Sequence, residues 1–172
     1  SVYKRDRKRN GTNKTIYQES IMTIERTYTS RRSNILKALA EKLKGIDGSG
    51  AMLTDVANNV HPFLKFWDEI EEFPAIHLNA GSETRQYQAG GYKDRFLGVV
   101  LRCYVNEENA QEALNLLMED VETVIEENSR LQYSDKQNNL FTTNQISIIS
   151  IDTDEGALEP LGVGEITIEI QY

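Results

Sequence analysis

One cysteine, two histidines, one tryptophan and three prolines in 172 residues each close off a class of chemistry or architecture. With Cys103 alone, the chain can form neither an intramolecular disulfide nor a thiolate metal cluster. His61 and His77 stand sixteen residues apart, outside any zinc-ligand spacing, so each reads as a surface or hydrogen-bonded histidine. Few prolines and eleven glycines argue against a long low-complexity linker. No apolar run approaches the ~18 residues of a membrane span, and the basic N-terminal stretch lacks the apolar segment of a signal peptide. The expectation is therefore a protein made in a reducing cytoplasm with no membrane partner, whose sequons at Asn10 and Asn13 carry no glycan.

Catalytic signatures are missing as well. GIDGSG and QAGGYK lack the spacing of a phosphate-binding loop or a dinucleotide fingerprint, so their glycines read as turn makers. No GxSxG elbow occurs, and Cys103 lies in mid-strand among apolar neighbours, as a small buried hydrophobe would. Asp152, Asp154 and Glu155 in SIDTDEG imitate the start of a calcium loop, but the glycine comes one place early and no glutamate stands at the twelfth position. A solvated turn is the simpler reading. The sequence thus assembles no catalytic, metal or cofactor site, and no cofactor is expected.

Charge is abundant and unevenly distributed. The formal net charge is -8, yet SVYKRDRKRNGTNK at the start holds six basic residues, among them Lys4, Arg5, Arg7, Lys8 and Arg9, against the single acid Asp6. That arm carries +5, which leaves -13 for the rest. So acidic a body repels a phosphate backbone; any duplex binding would come from the arm. Acidic protein surface is an equal partner for it.

Hydrophobic periodicity organises the remainder. Residues 1–28 read as a basic arm, extended or partly ordered, in which YQESIMTIERTY has scattered apolar positions compatible with a short helix. SRRSNILKALAEKLKG sets Ile35, Leu36, Leu39, Ala40 and Leu43 on one helical stripe, with Thr29, Ser30 or Ser33 as cap and Gly45 as the stop. MLTDVANNV reads as a weak strand. PFLKFWDEIEEF reads as a short helix or turn that plugs Phe63, Leu64, Phe66, Trp67, Ile70 and Phe73 into the core. FPAIHLNAG is a short strand with Ile76 and Leu78 on one face. In SETRQYQAGGYKDRFLGVVLRCYV two extended arms meet at Ala89-Gly90-Gly91, where glycine supplies the positive φ of a hairpin. The second arm, Phe96 to Val105, is apolar on both faces, as in a covered central strand.

ENAQEALNLLMEDVETVIEEN is a second helix, capped by Asn106, whose polar side is nearly all acid: Glu112, Glu119, Asp120, Glu122 and Glu126 among others, with no base to pair them. Either solvent or a basic partner surface compensates. RLQYSDKQNNLFTTN reads as loop. ISIISID is a strand whose inward phase switches between Ile148 and Ile149, as at a bulge or in a strand with two covered faces. In EITIEIQY, Ile166, Ile168, Ile170 and Tyr172 alternate with polar residues. The fold class is α+β: a two-layer sandwich of a mixed or antiparallel four- to five-stranded sheet, two main helices on one face and a protruding hairpin, all within residues 29–172.

The phrases SNILKALAEKLKGIDGSG, FWDEIEEFPAIHLNAGSETRQYQAGGYKDRFLGVVLRCYV and SIDTDEGALEPLGVGEITIEIQY resemble tail terminator proteins of long, non-contractile-tailed bacteriophages, also called minor tail or tail completion proteins. The resemblance implies a non-enzymatic virion protein that forms a hexameric ring on the last ring of the tail tube, stops its polymerisation and offers a surface to the head. Its implied partners are further copies of itself, the tail tube protein and a head completion or connector protein. A neighbouring head-to-tail joining protein or, from another class, a small nucleic-acid-binding module are the alternatives; the second predicts salt-dependent DNA binding that is lost with the arm. The family supplies no strict motif, so interface candidates come from local physics. Tyr87, Gly90, Gly91, Tyr92, Lys93 and Arg95 form the hairpin tip. Lys4, Arg5, Arg7, Lys8 and Arg9 form an arm for a neighbour's acidic helix, at Glu112, Glu119, Glu122 and Glu126, or for DNA passing through the channel. The phrase MTIERTYTSRR at Met22 also reads as a plausible beginning of such a protein.

Overall fold

The computed structural model describes residues 31–56 and 58–172; the basic arm and the helix read in YQESIMTIERTY lie outside them. A strand that is apolar on both faces needs neighbours on both edges and cover on its inner side, and Phe96 to Val105 has all three. It belongs to a fourteen-residue strand at the centre of a five-stranded sheet.

In chain order the elements are α1 (Arg32–Leu43), β1 (Val60–His61), β2 (Ala75–Tyr87), β3 (Lys93–Asn106), α2 (Ala110–Glu127), β4 (Gln132–Ser134), β5 (Leu140–Thr142), β6 (Gln145–Thr153) and β7 (Leu161–Gln171). The large sheet runs β1-β2-β3-β7-β6, antiparallel except where β1 lies parallel to β2. β4 and β5 pair separately as a small hairpin. Both helices cover one face, so this is the α+β two-layer arrangement the periodicity implies.

The core forms where the helical stripes meet the inward strand positions. Ile35, Leu39 and Leu43 of α1 and Leu114, Leu117, Val121 and Ile125 of α2 pack on Ile76, Leu78, Leu97, Val99, Leu101, Ile166, Ile168 and Ile170. Cys103 is buried among them, and burial pushes its thiol up to about 12, which keeps it a protonated, unreactive hydrophobe. Gly164 marks the closest approach of helix and sheet: a Cβ there would lie 2.5 Å from Met118 Sδ. Of the two alternatives for ISIISID the bulge is present, as the β6–β7 register shifts between Ile148 and Ser150.

Several local expectations need correction. α1 begins after Arg31, whose own backbone is already helical and which makes no side-chain cap; Ser33 lies inside the helix. α2 is preceded by Asn109, because Asn106 still pairs with Leu161 as the last residue of β3. MLTDVANNV does not form a strand of its own: Asp55 makes one isolated bridge with Asp47, Val60 opens the two-residue β1, and the backbone N–H groups of Leu53 and Thr54 are taken up by Asp120. That carboxylate, 2% exposed, accepts the N–H groups of Leu53 and Thr54 at 2.9 and 2.7 Å and the Thr54 hydroxyl at 2.6 Å. Asp120 is therefore no part of the solvated acidic face. RLQYSDKQNNLFTTN is ordered as the β4–β5 hairpin, with Leu131, Tyr133 and Thr143 buried. PFLKFWDEIEEF does make a short turn, a 3-10 turn at Trp67–Glu69, but Phe63, Phe66 and Trp67 stand exposed instead of filling the core.

Candidate assembly surfaces

β2 begins buried and ends in solvent. Ala75 to Leu78 are covered, whereas Arg85 to Tyr87 are exposed, although both ends pair with the same partner strand β3. A register shift between Ala80 and Glu83 marks the change. Beyond it the hairpin continues through Thr84↔Phe96, Arg85↔Arg95 and Gln86↔Asp94 to Tyr87↔Lys93.

Glu83 anchors the root of this finger. Its carboxylate accepts the Tyr172 hydroxyl at 2.7 Å and Arg85 Nε–H at 2.7 Å, with Arg32 Nε 3.6 Å away. Arg32 also donates from Nη2 to the Gly81 carbonyl at 2.8 Å, so α1, the hairpin and the final residue of the chain converge. Burial alone would raise the Glu83 pKa, but the hydrogen bonds from Tyr172 and Arg85 and the nearby guanidinium charges outweigh it and hold the carboxyl below its ordinary value. Burial first, and the bond to Glu83 second, push the Tyr172 phenol up to about 12.

At the tip, Ala89–Gly91 turn the chain, with Gly90 and Gly91 at φ +81° and +82°, values that a β-carbon disfavours. Gln88 N–H donates to the Tyr92 carbonyl at 2.9 Å and closes the turn. Tyr87 is 70% exposed and Tyr92 76%, and Lys93 Nζ lies 5.4 Å from the centre of the Tyr87 ring. Five of the six residues assigned to the tip therefore stand together there. Arg95 lies lower, with its guanidinium 5.6 Å from the Tyr172 ring and its backbone paired with Tyr172 in both directions.

The acidic helix gives a second surface. Glu112, Glu119 and Glu126 are exposed on α2 and Glu122 is half-buried. Near its start a groove of about 380 Å³ has Leu53, Ala113 and Leu116 in its wall and Asp55, Glu107 and Glu112 as its acids. The arm residues Lys4, Arg5, Arg7, Lys8 and Arg9 lie outside the described residues.

A third surface escaped the sequence reading, which placed its aromatics in the core. Phe66 and Trp67 line the open face of the sheet with Tyr104 and Val163, and the exposed Phe63 lies beside them against His61 and His77, at 5.3 and 6.5 Å between ring centres. His77, which the sequence leaves as an isolated histidine, is packed edge-on against His61 and Tyr104, at 5.1 and 5.5 Å between ring centres. Its Nδ1 accepts the Lys65 N–H at 3.0 Å. Burial, with His61 and Lys65 adding to it, lowers its pKa to about 4, so it is a neutral acceptor at physiological pH. Among the described residues no group of three or more His, Cys, Asp or Glu side chains could hold a metal ion, and no helix is long and apolar enough to cross a membrane.

Residues 29–172 match the family model of the bacteriophage tail tube terminator protein. The chain belongs to this family. A curated relative, the tail tube terminator protein p142 of Escherichia phage T5, is 32% identical over 149 residues, spanning 82% of this chain and 92% of that protein. A chain from the virion of a native gene transfer agent particle has the same fold, with a TM-score of 0.55 over 84% of this chain and 98% of its own length at 6% identity. The terminator is accordingly a structural component of the phage virion that ends the tail tube, and not an enzyme. The resemblance read in the sequence and the family model agree.

Proposed function

We propose that the protein acts as a closed ring of six copies on the head-proximal end of the tail tube. The ring blocks addition of further tube subunits and presents a second face to a head completion or connector protein. The observation that carries this reading is the finger: two paired strands extend past the core to a tip whose aromatic residues touch little of their own chain. Exposed tyrosines are the residue type enriched at contact surfaces.

A ring is built from head-to-tail contacts between two different patches, and closes when the rotation between neighbours divides a full turn. The tip supplies one patch. The +5 arm and the acidic side of α2, at Glu112, Glu119, Glu122 and Glu126, supply opposite charge for a further contact between neighbours. DNA passing through the channel is a secondary partner for the arm.

The test is the mass of the purified protein by light scattering, with and without tail tubes, followed by electron imaging. A six-fold ring, free or seated on one tube end, is the expected result. A protein that remains monomeric in the presence of tubes and leaves their ends open removes the reading.

A further inference from the structure

The exposed aromatics on the open face of the sheet are held in place, which distinguishes them from a loose loop. Phe63 is 52% exposed, Phe66 66%, Trp67 60% and the neighbouring Leu158 50%. The backbone beneath them is fixed by the bond from Lys65 N–H to His77, itself 1% exposed, and by Phe66 N–H donating to Glu69 at 3.2 Å. Between Leu64, Phe66 and Trp67 on one side and Tyr104, Leu158 and Val163 on the other runs a groove of about 300 Å³. A rigid apolar patch of this kind, with two rings of one turn facing solvent, is the usual signature of a contact site.

Its place in the fold says which contact. Tyr104 pairs with Ala75 at the start of β2, whereas Lys93 pairs with Tyr87 at its end. The patch and the finger tip thus occupy opposite ends of one hairpin, roughly 36 Å apart at about 3.3 Å per residue. No chain can bring its own tip to its own patch. Their charges are complementary as well. Residues 65–72 hold Asp68, Glu69, Glu71 and Glu72 against Lys65, while the tip presents Lys93; Arg85 is already engaged by Glu83, and Arg95 lies beside Tyr172. Lys93 lies over Tyr87, so the tip brings aromatic surface and positive charge to the same spot.

We propose that the groove beside Phe66 and Trp67 receives the hairpin tip of the next copy, with Tyr87 and Tyr92 against the aromatics and Lys93 against the acids of residues 68–72. The inference rests on the ring reading above and specifies its interface. Two unlike patches at opposite ends of a rigid element make a heterologous contact, the type that propagates around a ring instead of stopping at a dimer.

Paired cysteine substitutions test the contact directly. A chain carrying both Ala89→Cys and Asp68→Cys, two exposed positions beside the contact that leave its aromatic rings in place, oxidised after assembly on tail tubes, is expected to give a ladder of covalent species up to the full ring on a non-reducing gel. Either substitution alone stops at a dimer, because each chain then has a single reactive thiol; Cys103 is fully buried and stays out of the reaction. As a second readout, Trp67→Ala should lower the fraction of capped tubes by about tenfold or more with the thermal midpoint unchanged. Six-fold rings by electron imaging with no ladder, or capping undiminished in Trp67→Ala, overturn the contact and leave the ring reading standing. Absence of rings from tubes mixed with the unmodified protein overturns both.

Discussion

The two ends of the β2–β3 hairpin are built from the same two strands and obey opposite rules. At the root, Ile76, Leu78, Leu101 and Cys103 are sealed under both helices; at the tip, Tyr87, Tyr92 and Lys93 stand in solvent with the turn closed by its own backbone and by Gln88 donating to Asp94. Burial explains every residue at the first end and almost none at the second. An extended hairpin is not stable by virtue of its tip, so the tip is carried by the root and its composition answers to something outside the chain.

The most direct way to sharpen that contrast is to damage the root. Leu101→Ala removes a side chain with no exposed surface from the middle of the central strand. Loss of about 2–5 kcal/mol is expected from transfer and cavity terms together, read as a lowered midpoint in denaturant unfolding. Gly164→Val acts from the opposite direction. Its branched side chain would enter space held by Met118 and Leu114, and overpacking should cost about 1–3 kcal/mol. A Gly164→Val protein as stable as the parent would mean that α2 does not sit where it is described.

Asp120→Ala should destabilise by about 1.5–3 kcal/mol, since it leaves two amide hydrogens and a hydroxyl without their charged acceptor. Hydrogen exchange at Leu53 and Thr54 should rise with it. The reason this role went unread is instructive. By residue type Asp120 is one acid among many, yet its position, three residues after Leu117 and four before Val124, places it on the inner stripe of the helix. The spacing carried the information that the composition hid. β7 and the hairpin turn were legible because alternation and glycine leave little else to propose, and the phase switch in β6 narrowed that strand to a bulge or two covered faces. The three-residue strands β4 and β5 were not, because so short a segment has no period to detect. The aromatic cluster at Phe63, Phe66 and Trp67 was misplaced for a different reason: hydrophobicity says that a side chain needs cover, and not whether its own chain or another provides it.

Acid sharpens the comparison at the junction of the two regions. The Glu83 carboxyl is held below its ordinary value, so the unfolded state binds its proton first as pH falls. Its contribution is therefore complete above the ordinary glutamate range and is lost as pH drops through the depressed folded value. The Glu83 junction, followed by amide exchange at residues 81–85 and by the Tyr172 ring signals, should loosen as pH falls below the ordinary glutamate range. Glu83→Gln should abolish that pH step. Retention of the same step in the variant would assign it to another group.

The smallest effect on stability belongs to the tip, and it is the most informative. Tyr87→Ala and Tyr92→Ala together remove two rings that are mostly in water, so the unfolding free energy should change by about 0.5 kcal/mol or less. Capping of tail tubes should nevertheless fall by about tenfold or more, as expected when anchor residues of an interface are truncated. A root substitution such as Leu101→Ala should reduce capping by lowering the folded fraction, so cooling toward the temperature of maximum stability or adding a stabilising osmolyte should restore it. The tip double variant should not respond to either treatment. Should it lose stability and capping in proportion, the tip would be part of the fold after all, and the division of the hairpin into a supporting end and a contacting end would fail.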